Sequence, residues 1–354
     1  MCKRIEQADL EHVLAHTGGL WEELRGRRLF ITGGTGFFGC WLLESFTAAN
    51  DRFALGAEAV ALTRDPAAFR AKAPHLAGHP SVRLHAGDVR NFAFPPGDFS
   101  HIIHGATCAS AKLNEEQPRL MLDTIVEGTR RTLDFAARCG TPKFLLSSSG
   151  AVYGRQPPEL THLPESYAGV PDSSDPASAY GEGKRLAEQL CAQYHREHGI
   201  DAKIARGFAF VGPHLPLDVH FAIGNFIRDA LAGGPVRVSG DGTPCRSYLY
   251  AADLAVWLWT ILFRAPACRP YNVGSGAAVT ILEAARAVAE SATPPLAVTV
   301  AQPPGGAPPS RYVPDVSRAE AELGLRCIIP LAEGVRRTFR FHQATGRFAQ
   351  SAAG

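Results

Sequence analysis

The stretch LFITGGTGFFGCWLL (29–43) sets four glycines, at 33, 34, 36 and 39, between two apolar runs. The run RLFIT that leads into it is short and closed by glycines, the pattern of a buried strand. The residues that follow, FFGCWLLESFTAA, have helical spacing. A tight turn alone accounts for one or two glycines. Three of them, Gly33, Gly36 and Gly39, follow the spacing GxxGxxG between a strand and a helix. A helix start of this kind offers unpaired N–H groups and the positive end of its dipole, which suit a pyrophosphate. Bare glycines let the backbone approach it.

Reading outward, AVALTRD (59–65), VRLHAGDV (82–89) and HIIHGAT (101–107) predict the second to fourth strands. RLMLDTIVEGTRRTLDFAARCG (119–140) predicts a long helix stopping at Gly140. KFLLSSSG (143–150) predicts a fifth strand, SAYGEGKRLAEQLCAQYHREHG (178–199) a second long helix and DAKIARGFAF (201–210) a sixth strand. Strands alternating with helices predict parallel βαβ units in a doubly wound α/β sheet. Beyond about residue 212, Pro and Gly become frequent and the segments shorten, so a smaller C-terminal lobe is expected. Ligands of such sheets lie outside the carboxyl ends of the strands. The loops at 33–39, 105–110, 147–153 and 207–213 are therefore expected to line one cleft. Residues 1–26 read as a helical extension, 27–212 as the dinucleotide-binding domain, 213–342 as mainly the second lobe, with an element returning to the sheet, and 343–354 as a flexible tail.

Composition narrows the classes. The chain has 354 residues, is 45% hydrophobic and carries a net charge of +2 with acids and bases interspersed. Neither nucleic-acid nor membrane-surface binding is expected of such a balance. The eight cysteines form no CxxC pair, so free thiols in a reducing, cytoplasmic setting are expected, and no metal site. The N-terminus is too polar for a signal peptide. The apolar run AADLAVWLWTILF (251–263) carries Asp253 and falls short of the ~20 residues of a membrane span, so it reads as a buried core helix. QPPGGAPPS (302–310) reads as an exposed loop.

Three further features carry chemistry. The second strand ends Thr63-Arg64-Asp65, where an acid for the adenosine ribose is expected. Arg64 suits a 2′-phosphate, whereas Asp65 suits a plain ribose, so NAD leads and NADP stays open. Asp88 either meets the adenine or caps a helix. Tyr180 and Lys184 stand at i and i+4 on one helix face. A nearby ammonium lowers a phenol's pKa from about 10, which makes Tyr180 a general base. SSSGAVYG (147–154) ends the fifth strand, placing Ser149 where it can hydrogen-bond a substrate oxygen. Tyr153 reads as either cleft wall or core.

Taken in order, TGGTGFFG, GD (87–88), SSSGAVYG, YGEGK, GDGTPCRSYLYAADL (240–254), YNVGSG (271–276) and PDVSRAEAELG (314–324) resemble the extended short-chain dehydrogenase/reductases that modify nucleotide sugars. The resemblance runs from about residue 27 to 342, and two stretches look most like the UDP-glucuronate decarboxylase branch. It implies a Rossmann-type sheet with a substrate lobe, and a homodimer paired through helices 116–139 and 178–198. It implies Ser149, Tyr180 and Lys184 as the catalytic set. For NAD(P) it implies Gly33, Gly36, Phe37, Phe38, Gly39, Arg64, Asp88, Val89 and Ala106, with Tyr180 and Lys184. For a nucleotide-diphosphate sugar it implies Ser149, Asn225, Arg246 and Arg311. Bland alternatives for the last three are a helix cap and two solvated arginines.

The departures matter as much. Decarboxylases and 4,6-dehydratases of this group carry an acid two residues before the motif tyrosine, where this chain has Ala151, preceded by Gly150. The motif instead resembles that of the C4-epimerases. Ile125 and Ala209 stand where the group has asparagines. A C4-epimerase working through a 4-keto sugar is the leading expectation. The rivals are a decarboxylase or dehydratase, an NADPH-dependent 4-ketoreductase, and a non-catalytic NAD(P)-binding protein. The intact Ser149, Tyr180 and Lys184 argue against the last.

Overall fold

The computed structural model describes residues 4–107, 111–218, 221–306 and 308–344. The tail expected at 343–354 thus lies outside the described residues beyond Ala344, and the loop expected at 105–110 is described only as far as Thr107. The chain opens with α1 (Gln7–His16) and a 3-10 turn, Trp21–Leu24. There follow β1 (Arg28–Thr32), α2 (Phe37–Phe53), β2 (Glu58–Thr63), α3 (Pro66–Lys72), α4 (Pro74–Ala77), β3 (Val82–Ala86) and β4 (His101–His104). Next come α5 (Ala111–Glu116), α6 (Pro118–Cys139), β5 (Lys143–Ser149), α7 (Ala179–His198) and β6 (Asp201–Gly207).

The second half adds β7 (Phe210–Val211), α8 (Ala222–Leu231), β8 (Val236–Val238), β9 (Cys245–Arg246), β10 (Leu249–Tyr250), α9 (Ala251–Arg264) and β11 (Pro270–Val273). It ends with β12 (Val279–Thr280), α10 (Ile281–Ala289), β13 (Val298–Val300), β14 (Arg311–Tyr312), α11 (Ser317–Leu323) and α12 (Leu331–Ala344). β11 returns to the main sheet, whose order is β11-β6-β5-β4-β1-β2-β3 with every pair parallel. The order reverses between β1 and β4, and a dinucleotide binds at such a reversal.

The alternation of side chains explains the two cores. Leu29, Ile31, Ala59, Ala61, Ile103 and Leu145 face one side with α1, α2 and α9. Phe30, Val60, Leu62, Ile102, Phe144 and Leu146 face the other with α6 and α7. A sheet covered on both faces needs such continuous apolar runs. Residues 251–263 are buried on every side, as a core helix must be. Among the described residues no helix is long and apolar enough to cross a membrane.

One expectation changes. The sixth strand stops at Gly207 rather than running to 210. Phe208 still donates its N–H to Val273, but Phe210–Val211 leaves the sheet to pair with Leu249–Tyr250. The segment before β1 carries α1, which is tied to the second half of the chain. Buried Asp9 on α1 accepts from the Tyr250 hydroxyl at 2.6 Å and pairs with Arg337 of α12.

Candidate active site

The glycine loop leaves β1 and enters α2 as its spacing implied. Gly33 has φ +74°, and a Cβ there would lie 2.6 Å from the Gly105 carbonyl, so the β1 and β4 loops meet backbone to backbone. A Cβ on Gly39 would lie 2.3 Å from Gly34, which lets α2 start hard against the loop. The Gly36 N-cap makes no side-chain cap bond, and α2 is long enough to present its dipole end to the cleft. This bare cradle fits a dinucleotide pyrophosphate. Phe37 and Phe38 are half-buried in the first turn, and Phe38 packs edge-on against Phe210 at 5.0 Å. Lys72 of α3 ties the loop by donating to the Thr35 carbonyl at 2.7 Å.

The acids at the β2 and β3 ends make local bonds. Asp65 accepts from the Ala68 N–H at 2.9 Å and caps α3. Asp88 caps a turn rather than a helix. Its carboxylate takes the Arg90 N–H at 3.0 Å and the Arg90 guanidinium at 2.9 Å, and Arg90 lowers its pKa. Exposed Arg64 also acts on Asp88. Both acids are therefore already engaged. The Val89 side chain is buried against α6 rather than turned to the cleft, while the Ala106 N–H donates to Thr32 Oγ1 at 3.2 Å beside Gly33.

Ser149, Tyr180 and Lys184 come together. Ser149 ends β5, and its Oγ accepts from the Ala151 N–H at 3.1 Å. Tyr180 stands in the first turn of α7, where Ser149 opposes the rise in its pKa. Asn114 of α5 holds that turn, accepting from the Tyr180 N–H at 3.0 Å and donating to the Ala177 carbonyl at 2.6 Å. Lys184 is 2% exposed and donates to the Ser147 carbonyl at 2.7 Å. Its Nζ lies 5.9 Å from the Tyr180 ring centre.

The expected lowering of the Tyr180 pKa by Lys184 is not what the structure shows. Burial raises Tyr180, with the Ser149 hydrogen bond the single opposing cause. Burial likewise lowers Lys184, to about 8. Desolvation disfavours whichever form is charged, and both groups share one dry site.

Beneath the site, His104 bridges Thr32 Oγ1 at 2.8 Å and Thr129 Oγ1 at 3.1 Å, and burial pushes its pKa down to about 3. Neutral His104 thus joins β1, β4 and α6. Ile125 of α6 packs beneath Gly183 of α7, between Tyr180 and Lys184. Tyr153 is core. Its hydroxyl donates to Asn272 at 2.7 Å and accepts from Arg206 at 2.9 Å, and burial pushes its pKa up to about 12.

In the second lobe, β9 pairs β14 in the register Arg311↔Cys245 and Tyr312↔Arg246. Side chains alternate along a strand, so Arg246 shares a face with Tyr312 while Arg311 points to the other. Arg246 donates to the Cys245 carbonyl at 2.8 Å. Asn225 lies inside α8 and accepts from Arg228 at 3.1 Å, so it caps no helix. Tyr312 was not among the residues singled out from sequence, yet its hydroxyl crowds Gly150, whose added Cβ would lie 2.6 Å from it. Asn114 and His104 were missed as well. The one available signal was Tyr312's place beside Arg311 in a polar run.

Residues 29–274 match the NAD dependent epimerase/dehydratase family. The chain belongs to that family. This family member is 32% identical over 308 residues to UDP-glucuronic acid decarboxylase 6 of Arabidopsis thaliana, covering 87% of this chain and 86% of the relative. It superposes on UDP-glucose 4-epimerase of Thermus thermophilus, solved with NAD, with a TM-score of 0.73 and 27% identity over 90% of this chain and 99% of that one. It superposes on the dTDP-glucose 4,6-dehydratase of Streptomyces venezuelae, also solved with NAD, with a TM-score of 0.76 and 25% identity over 90% and 98% of the two chains. This member of the epimerase/dehydratase family is an NAD-dependent enzyme, and the cradle at Gly33–Gly39 is where its residues would hold NAD.

Proposed function

We propose that this enzyme is a nucleotide-sugar C4-epimerase. The observation that carries the reading is the composition of the β5 end. Ser149 and Tyr180 meet there, while Gly150 and Ala151 supply no carboxylate. Oxidation at C4 needs one base and one hydroxyl that orients the oxygen. Loss of water across C5 and C6 needs additional acid–base groups, which an alanine cannot provide.

In this mechanism Tyr180, as phenolate, takes the proton of the sugar 4-hydroxyl. Ser149 donates to the same oxygen and holds it in line. Lys184, charged below about pH 8, grips the ribose and faces the phenolate. NAD held at Gly33–Gly39 would supply the acceptor for the C4 hydride and the donor for its return. The tyrosine then gives its proton back to the inverted alcohol, so the sugar leaves with its atoms unchanged. Arg246, on the same strand face as Tyr312, would take the diphosphate.

A second reading is a nucleotide-sugar decarboxylase, favoured by the 32% identity to a UDP-glucuronic acid decarboxylase. It shares the C4 oxidation, after which a 4-keto uronate loses carbon dioxide. One experiment separates the two. Purified enzyme is incubated with NAD and UDP-glucose, UDP-glucuronate or dTDP-glucose, and the products are read by mass and by proton NMR. An epimerase yields a C4 epimer of unchanged mass, whereas a decarboxylase yields a pentose and carbon dioxide. Failure to convert any of these sugars overturns the reading.

We further propose a homodimer paired through α6 and α7, whose outer face carries the exposed Leu186, 43% accessible, among charged neighbours. Sedimentation should show a dimer, and Leu186→Glu should shift it toward monomer.

A further inference from the structure

Asn272 on β11 is fully buried, and both ends of its amide are engaged. Its Nδ2 donates to the Leu163 carbonyl at 2.7 Å and to the Asp315 carbonyl at 2.9 Å, while its Oδ1 accepts the Tyr153 hydroxyl at 2.7 Å. Carbonyl oxygens only accept, so the amide has one orientation and Tyr153 is the donor to it. Burial pushes the Tyr153 pKa up to about 12, so the phenol keeps the proton it gives. Its oxygen then has lone pairs for Arg206 of β6, which donates to it at 2.9 Å. The same guanidinium makes a bidentate pair with Glu188 of α7, at 2.9 and 2.7 Å, and Ser148 of β5 donates to that carboxylate at 2.5 Å.

The donors and acceptors in this series are thus assigned by their chemistry. One end is Ser148, the neighbour of Ser149. The other is Asp315, just past Tyr312 of β14. The far end is held along its backbone as well. The Leu163 N–H donates to the Val313 carbonyl at 2.8 Å, the Asp315 N–H to the Leu163 carbonyl at 2.9 Å, and the Val313 N–H to Gln156 Oε1 at 2.9 Å. Residues 156–163, which follow the turn Gly150–Tyr153 after β5, therefore form a strap along which the end of β14 lies. Asn272 clamps both partners of that pairing. β14 in turn carries β9, through the register Tyr312↔Arg246.

We propose that Tyr153 and Asn272 are positioning residues: their hydrogen bond ties the strap and β14 to the strand that carries Ser149, and so fixes where Arg246 stands relative to Ser149. Neither belongs to the set Ser149, Tyr180 and Lys184; both act through β14. The tyrosine of the SSSGAVYG motif is then more than core filling, because its hydroxyl links the two lobes. The consequence for substrate rests on the second lobe being the side that holds a nucleotide sugar.

Tyr153→Phe keeps the ring, with its neighbours Tyr167 and Phe208, and removes only the hydroxyl. Backbone hydrogen exchange read by mass spectrometry tests the tie without substrate. In Tyr153→Phe the amides of 311–315 should exchange about tenfold faster, the scale of one net hydrogen bond, while those of 143–147 keep the parent's rate. Asn272→Ala should loosen 311–315 at least as much, and adding Tyr153→Phe to it should change nothing further. Tyr153→Phe alone decides the matter if Asn272→Ala folds poorly. On a nucleotide sugar that is turned over, Tyr153→Phe should raise KM about tenfold and leave kcat and NAD affinity as in the parent, a split that a general loss of stability does not produce. Unchanged exchange at 311–315, a rise shared equally with 143–147, or a fall in kcat with KM unmoved overturns the proposal. Absence of turnover by the parent on every sugar defeats the functional reading, and the exchange rates still decide the tie.

Discussion

Tyr180 and Lys184 illustrate how one site imposes opposite demands on two residues. Tyr180→Phe should cut turnover by about 10²-fold or more, the usual scale for losing a general base, while NAD binding measured by calorimetry stays near that of the parent. Lys184 has the reverse profile. Its pKa lies at about 8 in the fold against an ordinary value of 10.5, so at pH 7 the fold must bury an ammonium that the unfolded chain keeps in water. Lys184→Met should therefore be inactive, yet up to about 3 kcal/mol more stable to urea at pH 7 than the parent, that figure being the pKa difference converted at ~1.4 kcal/mol per unit and reduced by whatever the Ser147 carbonyl loses. Both residues were legible in the sequence because i and i+4 on a helix is a local relation. Tyr312 was not, because it reaches Gly150 only through a strand register in another lobe.

At the scale of elements, the site depends on how α7 starts. Asn114 clamps its first turn from α5, which is too short to have drawn notice in the sequence. Asn114→Ala removes two hydrogen bonds and should cost about 1–3 kcal/mol, with a fall in kcat larger than the change in KM, because Tyr180 loses its placement rather than the substrate its contacts. Steady-state kinetics beside urea denaturation would show it. β1 to β5 and the two long helices were readable because each carries one clear hydrophobic period. The end of β6 was not: Phe208, Ala209, Phe210 and Val211 continue an extended, apolar pattern while the chain changes sheets. The local bonds of the acids at 65 and 88 were hidden for a related reason. Asp65 caps α3 and Asp88 pairs with Arg90, local bonds that compete with any ligand and that residue type alone does not reveal.

For the whole molecule, buried histidines set the acid limit. His101, His104 and His214 are held neutral by burial, with pKa values of about 4, 3 and 3 against 6.5. The unfolded chain binds protons at these sites below pH 6.5 and the folded chain does not, so stability is full above that pH and drains away as pH falls toward 3–4. By pH 5 each histidine should cost about 2 kcal/mol, a slope that urea titrations at a series of pH values would measure and that His104→Gln should make shallower. The Asp9 junction bears on a different process, the order in which the molecule is completed. Asp9 belongs to α1 and Arg337, which neutralises it, to α12, made much later in the chain. A growing chain can assemble β1 to β6 as they emerge, but α1 cannot be sealed against Tyr250 without leaving a buried carboxylate uncompensated until α12 arrives. α1 thus docks only after α12 has been made, and newly made chains should stay open to proteases around α1 until translation passes α12.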